Sequence, residues 1–147
     1  MEFLQPEGWA RPRGYSNGVA ASGKTICVSG MIGWDGQGVF HTQDFAGQTR
    51  QALLNFVAVL AEAGAKPEHI TRMTWYVVDR NEYKAAYKEI GAAYREIIGL
   101  HFPAMTAVQV VALIEDQARL EIEVTAVLPV LEPALGASAG APPSAVI

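Results

Sequence analysis

Asp44-Phe45-Ala46-Gly47-Gln48-Thr49-Arg50-Gln51-Ala52-Leu53-Leu54-Asn55-Phe56-Val57-Ala58-Val59-Leu60 is the stretch on which the fold turns. Phe45, Thr49, Ala52, Leu53, Phe56, Val57 and Leu60 recur at helical spacing and form one stripe. Asp44 suits an N-cap, because its side-chain oxygen can accept from a free amide of the first turn. Gly64 supplies a stop. Gln48, Arg50, Gln51 and Glu62 fall largely off the stripe.

Working outward, a second helix starts near Asn81, carries Tyr83, Ala86, Tyr87, Ile90, Tyr94 and Ile97 on its stripe, and ends at Gly99. Gly91 inside it costs about 1 kcal/mol relative to Ala, which points to close packing there. Tyr15 to Ala21 and Thr25 to Ser29, joined by Ser22-Gly23-Lys24, read as a hairpin, and Trp34-Asp35-Gly36-Gln37-Gly38 as a turn. Ile70 to Val78, Met105 to Leu113 and Leu120 to Val127 are rich in β-branched and aromatic residues and read as strands. The order is three strands, helix, strand, helix, two strands. This is an α+β domain, two helices on a mainly antiparallel sheet.

The chain has 147 residues, half of them hydrophobic, enough for one domain with a real core. No apolar run approaches the roughly 20 residues that span a bilayer. Met1-Glu2-Phe3-Leu4-Gln5-Pro6 lacks the basic patch and apolar stretch of a secretory signal. The single cysteine, Cys27, fits a reducing cytoplasm. A net charge of −4 opposes nonspecific nucleic-acid binding, which clustered Lys and Arg must supply, and favours a small-molecule or protein partner. Residues 129–147 are mainly Ala, Gly, Pro and Ser without periodicity and are expected to be disordered, leaving one domain over 1–128.

Large apolar groups on both faces of Met73-Thr74-Trp75-Tyr76-Val77-Val78 and of Met105-Thr106-Ala107-Val108-Gln109-Val110-Val111 bear on assembly. Two helices cover one face of a sheet, so an apolar second face around Trp75 and Val77 points to burial against other subunits. A second layer built from the N-terminal hairpin is the monomeric alternative. Phosphate-binding, dinucleotide-binding and nucleophile-elbow signatures are missing. His41, His69 and His101 have no metal-ligand spacing to one another or to Cys27, so no metal is expected. In Leu120-Glu121-Ile122-Glu123-Val124-Thr125-Ala126, alternation sends both glutamates to the face opposite the apolar residues. Enclosed at an interface, such a carboxylate suits general acid/base work; left in solvent, or paired with Arg119 or Arg72, it does not.

Taken together, eight pieces resemble the Rid (reactive intermediate deaminase) family, also labelled the endoribonuclease L-PSP family. They are Gly14-Tyr15-Ser16-Asn17-Gly18-Val19, Val28-Ser29-Gly30, Gly33 with its Gly-rich turn, Gln48 to Asn55, Ala63-Gly64-Ala65, Val78-Asp79, Phe102-Pro103-Ala104 and Glu121-Ile122-Glu123. They run in order over about residues 12 to 128.

The resemblance implies a chorismate-mutase-like fold, with two helices on one face of a six-stranded sheet, and a homotrimer with ligand pockets between subunits. It also implies hydrolysis of enamines or imines such as 2-aminoacrylate to a keto acid and ammonia, without a cofactor. Carried over, the pocket tyrosine is Tyr15, the Ser-Gly pair is Ser29-Gly30, and the water-positioning glutamate is Glu121. The carboxylate-gripping arginine is absent, because the family's Pro-Ala-Arg is Pro103-Ala104-Met105 here. A thioether cannot replace a guanidinium fork. The family's helix asparagine is also replaced, near Tyr87. Arg11, Arg13 or His101 could supply a cation instead, or each could be an ordinary surface charge. The expected function is a deaminase or hydrolase of another small enamine or imine. A catalytically silent binder is the alternative, and RNA cleavage fits the acidic balance least.

Overall fold

The computed structural model describes residues 1–130, so the expected disorder of 129–147 lies, beyond residue 130, outside the described residues. The first long helix, α1 (Phe45–Glu62), runs as the stripe demands: the Asp44 carboxylate accepts from the Gly47 amide at 2.8 Å, and Gly64 ends it at φ +75°. Ala52, Leu53, Phe56 and Leu60 are wholly buried. Against them lies a four-stranded sheet of β3 (Lys24–Met31), β4 (Ile70–Val77), β5 (Ala104–Gln109) and β6 (Leu120–Leu128), ordered β3-β6-β4-β5. Its β3–β6 and β6–β4 pairs are antiparallel, and β4–β5 is parallel. A parallel pair needs a crossover, supplied here by the helices α2 (Arg80–Ala85) and α3 (Tyr87–Ile97).

Six strands are present among the described residues, but not as one sheet. The N-terminal strands β1 (Glu2–Leu4) and β2 (Gly18–Ala20) form a separate antiparallel ribbon. The expected hairpin across Ser22-Gly23-Lys24 is therefore not formed. Gly23, at φ +146°, lies so close to Leu128 that a Cβ would stand 2.2 Å from its carbonyl oxygen. The chain passes there from the ribbon into the β3–β6 ladder instead of folding back. Alternation shows that both segments are strands; their partners, Glu2–Leu4 and β6, lie far off in sequence.

The second helix also differs from expectation, being broken at Ala86 (φ −97°, ψ 8°). The break seats Tyr83 between Trp75 and Phe45, with ring centroids 5.9 and 6.0 Å apart, while Tyr87 stays more than half exposed. Nor is the second sheet face apolar as expected. Met73, Trp75 and Val77 all turn to the helices and are buried. The opposite face of β4 carries Arg72, Thr74 and Tyr76, and Tyr76 donates its hydroxyl to Glu123 of β6. Apolar exposure near the sheet lies on the β5 edge and the loop after it, at Val108, Val111 and Ile114, and elsewhere at scattered positions such as Trp9 and Leu100.

Gln48, expected off the stripe, is held on every side. It is fully buried, and its amide donates to the carbonyls of Thr42 (3.0 Å) and Gln117 (2.9 Å) and accepts from the Arg119 amide (2.8 Å). Its methylenes press on Gly33, where a Cβ would lie 2.5 Å from the Gln48 Cβ. Asn55, two turns on, donates to the carbonyls of Ile32 and Trp34. Replacing Gln48 by Leu keeps the volume but strands three backbone groups, so it should cost about 2–4 kcal/mol by urea denaturation. Arg50→Ala, which breaks only an exposed pair with Glu96, should stay within about 0.5 kcal/mol.

Candidate functional site

Tyr15, Tyr87 and Met105 come together in an open cleft of ≈ 940 Å³ between the crossover helices and the β4–β5 edge. Two backbone ties bring Tyr15 there. Ser16 donates its amide to the Pro103 carbonyl at 3.0 Å and its hydroxyl to the Phe102 carbonyl, so the Gly14-Tyr15-Ser16 segment is laid along the start of β5. Met105 stands beside wholly buried Met73 on the helix-facing side of the sheet. Four more aromatic rings line the wall, Trp75, Tyr83, Tyr94 and Phe102, the last two stacked with centroids 5.7 Å apart. Burial raises the pKa of the Tyr83 and Tyr94 hydroxyls, and Tyr94 donates to the His101 carbonyl at 2.7 Å. Both stay protonated.

Ser29, Gly30 and Glu121 assemble elsewhere. Between Val28 and Met31 the β3–β6 ladder shifts register, and in that irregularity Gly30 receives the Glu121 side chain. A Cβ on Gly30 would stand 1.8 Å from a Glu121 carboxylate oxygen, so only glycine leaves the carboxylate its place. Glu121 lies opposite Tyr76 in the ladder, on the face that carries no helix. Two strand steps, about 10 Å, and the thickness of the sheet separate Glu121 from Met105. One chain thus holds two ordered halves that do not meet.

Of the candidate cations, only Arg13 lines the cleft. His101 is occupied elsewhere: its Nε2 lies 2.7 Å from the Ile70 carbonyl and its ring packs edge-on to Phe3. Arg11 is exposed and takes no part in the cleft wall. Sequence reasoning missed Arg80, Lys84 and Arg95, which all line the cleft. Their signal lies in the spacing, since Lys84, Gly91 and Arg95 fall with Tyr87 on one side of the crossover, beside the apolar stripe that the sequence reading follows. Gly91 is not there for close packing either. A Cβ on it would meet nothing but the Arg95 guanidinium, at an ordinary 3.5 Å, so the helix gives up about 1 kcal/mol at a position that faces open space. Among the described residues no group of three or more His, Cys, Asp or Glu could hold a metal, and no helix is long and apolar enough to cross a membrane.

The family model described as Endoribonuclease L-PSP matches residues 9–128. A human protein named 2-iminobutanoate/2-iminopropanoate deaminase is 32% identical over 114 residues, covering 77% of this chain and 79% of its own. The protein of that name from Salmonella typhimurium is 32% identical over 108 residues, covering 71% and 80%. Among solved structures, YyfB of the conserved Rid protein family from Yersinia pestis superposes with a TM-score of 0.75 at 33% identity, over 86% of this chain and 98% of that one. TdcF from E. coli with bound serine gives a TM-score of 0.64 at 27% identity, over 87% and 99%.

The buried hydroxyls set an alkaline limit. A folded-state pKa above the unfolded one means that the unfolded chain releases its proton first. The stabilisation is therefore complete below about pH 10 and is lost as pH rises through the folded-state values. Urea midpoints should hold steady to about pH 10 and fall beyond it, and Tyr94→Phe should shrink the fall. A fall equally steep in Tyr94→Phe and Tyr83→Phe would assign the loss to other groups.

Proposed function

The chain belongs to the endoribonuclease L-PSP family, and on that premise we propose that it is a cofactor-independent hydrolase of a small imine or enamine, working in pockets completed between the subunits of a homotrimer. The observation that carries this is the division of the site. Tyr15, Tyr87 and Met105 form a binding half on the helix-facing side of the sheet, and Ser29, Gly30 and Glu121 form a second half on the other side. Each half is locally built, and neither is complete. In a cyclic assembly the carboxylate half of one copy can close the cleft of the next. The exposed Val108, Val111 and Ile114 supply apolar surface beside the cleft for that contact.

The chemistry asked of the pair is modest. Water adds to the carbon of the C=N bond, the carbon–nitrogen bond breaks, and a ketone and ammonia leave. Glu121 orients the water, takes its proton and returns it to the departing nitrogen, and the Tyr15 and Tyr83 hydroxyls are placed to hold the substrate, that of Tyr94 being held by the His101 carbonyl. Relatives bear the name 2-iminobutanoate/2-iminopropanoate deaminase; the reading is that this chain runs the same reaction on another substrate. Met105 favours that over the short imino acids, because the residue at this position offers no fork for a carboxylate. The same residue supports the second reading, a binder without turnover. A net charge of −4 argues against RNA as the substrate. The exposed free thiol of Cys27 suits a reducing compartment such as the cytoplasm.

A charged hydrogen bond lost in a transition state costs about 10- to 100-fold in rate. Wild-type protein should therefore hydrolyse 2-iminopropanoate slowly, with the imine generated by an amino-acid oxidase and followed by semicarbazide trapping. Met105→Arg should speed it by about that factor, and adding Glu121→Ala should abolish the gain. Gly30→Ala, which displaces the carboxylate without touching the core, should abolish it too while the melting temperature moves by less than about 3 °C. No gain from Met105→Arg would favour the binder.

Assembly has its own test. Light scattering should give about three times the 15.8 kDa chain mass. In the Met105→Arg background, co-expressing Tyr15→Ala chains with Glu121→Ala chains should restore about a quarter of the activity, because one site in four pairs two intact halves. Mixed assemblies as inactive as either parent would place the whole site within one chain.

A further inference from the structure

The cleft wall carries Arg13, Arg80, Lys84 and Arg95 and not one Asp or Glu. Four of the chain's 11 Lys and Arg thus converge on one concavity of a protein whose net charge is −4. Cations are ordinarily neutralised by neighbours where they cluster, yet none of these four is ion-paired among the described residues. Between the cations the wall is aromatic, with Tyr83 set edge-on to Tyr87 at 5.1 Å and Tyr94 stacked on Phe102. The one buried side-chain donor without a partner among the described residues, the indole N–H of Trp75, also belongs to a residue of this wall. Gly91 keeps the centre of the α3 face free of a side chain, where helix stability alone would prefer one.

From this combination we propose that the cleft takes a carboxylate carried on an aromatic ring system, an imino acid or enamine much larger than the three- and four-carbon imines named for the relatives. The ring packs on the tyrosine and Trp75 surface beside Gly91, and the carboxylate reaches the cations of the crossover helices, which do the work that Met105 cannot. The proposal rests on the hydrolase reading only for the carbon–nitrogen bond. The ring and the charge are read from the cleft itself.

Titration calorimetry with 3-phenylpropanoate, neutral 3-phenylpropanamide and ring-free propanoate separates the terms. The first should bind at least about tenfold tighter than either of the others, and its advantage over the amide should shrink as salt rises. Arg95→Gln and Lys84→Gln should each weaken 3-phenylpropanoate several-fold and leave the amide unchanged. Gly91→Leu should abolish binding while the melting temperature holds or rises, an opposition that a purely structural role for Gly91 would not produce. Equal binding of acid and amide would remove the cations from the site, and equal binding of 3-phenylpropanoate and propanoate would remove the ring. No binding of any probe to correctly assembled protein would mean that a neighbouring subunit fills the cleft. Each of these results overturns the proposal. Binding without hydrolysis of any imine would sink the hydrolase and leave this inference standing, whereas rapid 2-iminopropanoate turnover without 3-phenylpropanoate binding would do the reverse.

Discussion

The carboxamide of Gln48 is the constraint through which the two layers of this domain are set against each other. A buried amide must find a partner for each polar group or lose about 1–3 kcal/mol apiece, and here every partner is backbone, Thr42 from the segment before α1 and Gln117 and Arg119 from the loop before β6. The consequences run outward from Arg119. Its amide is fixed by Gln48, so its side chain is delivered to the crossover, where Nε donates to Glu82 at 3.0 Å and Nη2 completes a bidentate pair. Glu82 lies in α2, next to Tyr83. The strand that carries Glu121 begins one residue after Arg119. One side chain thus sets the start of β6 and, through Arg119, the position of the cleft wall.

What was legible in the sequence was what repeats locally. α1 and its Asp44 cap follow from spacing and capping chemistry, and the last strand follows from strict alternation in Leu120 to Ala126. Trp34 to Gly38 turns back as read, with the Asp35 carboxylate accepting from the Gln37 and Val39 amides. What escaped was nonlocal. No pattern in Gly18–Ala20 says that it pairs with Glu2–Leu4 rather than with its neighbour across Gly23. Gln48 read as a surface residue because a polar side chain off an apolar stripe normally is one, and its burial depends on three carbonyl and amide groups whose convergence no spacing reveals. The sequence puts Trp75 and Val77 on the open face because alternation cannot say which of two mixed faces the helices choose.

The candidate site was legible in the same uneven way. Tyr15, Tyr87 and Met105 meet in one cleft, and Gly30, next to Ser29, meets the Glu121 side chain across the β3–β6 ladder. The resemblance carried that, through motif pieces that would have been silent alone. It could not carry the cations, because Arg80, Lys84 and Arg95 match no motif piece, and their meaning comes from a concavity that exists only after α2 and α3 have folded back over the sheet.

Three glycines show how far residue identity under-determines its reason. At Gly33 a Cβ would collide with the backbone and side chain of Gln48, so the glycine lets the bend after β3 pack on α1. The added atom at Gly30 would strike the Glu121 carboxylate, so that glycine serves the position of one charged group. For Gly91 it would find only the Arg95 guanidinium, at ordinary contact distance. The sequence reads Gly91 as close packing and Gly30 and Gly33 as pieces of a motif, without saying what any of them makes room for. The structure separates them by what stands opposite. A glycine that faces nothing in a helix interior lowers stability by about 1 kcal/mol with no packing in return. What it leaves is volume, and at Gly91 that volume is the centre of a cleft ringed by cations and aromatic faces.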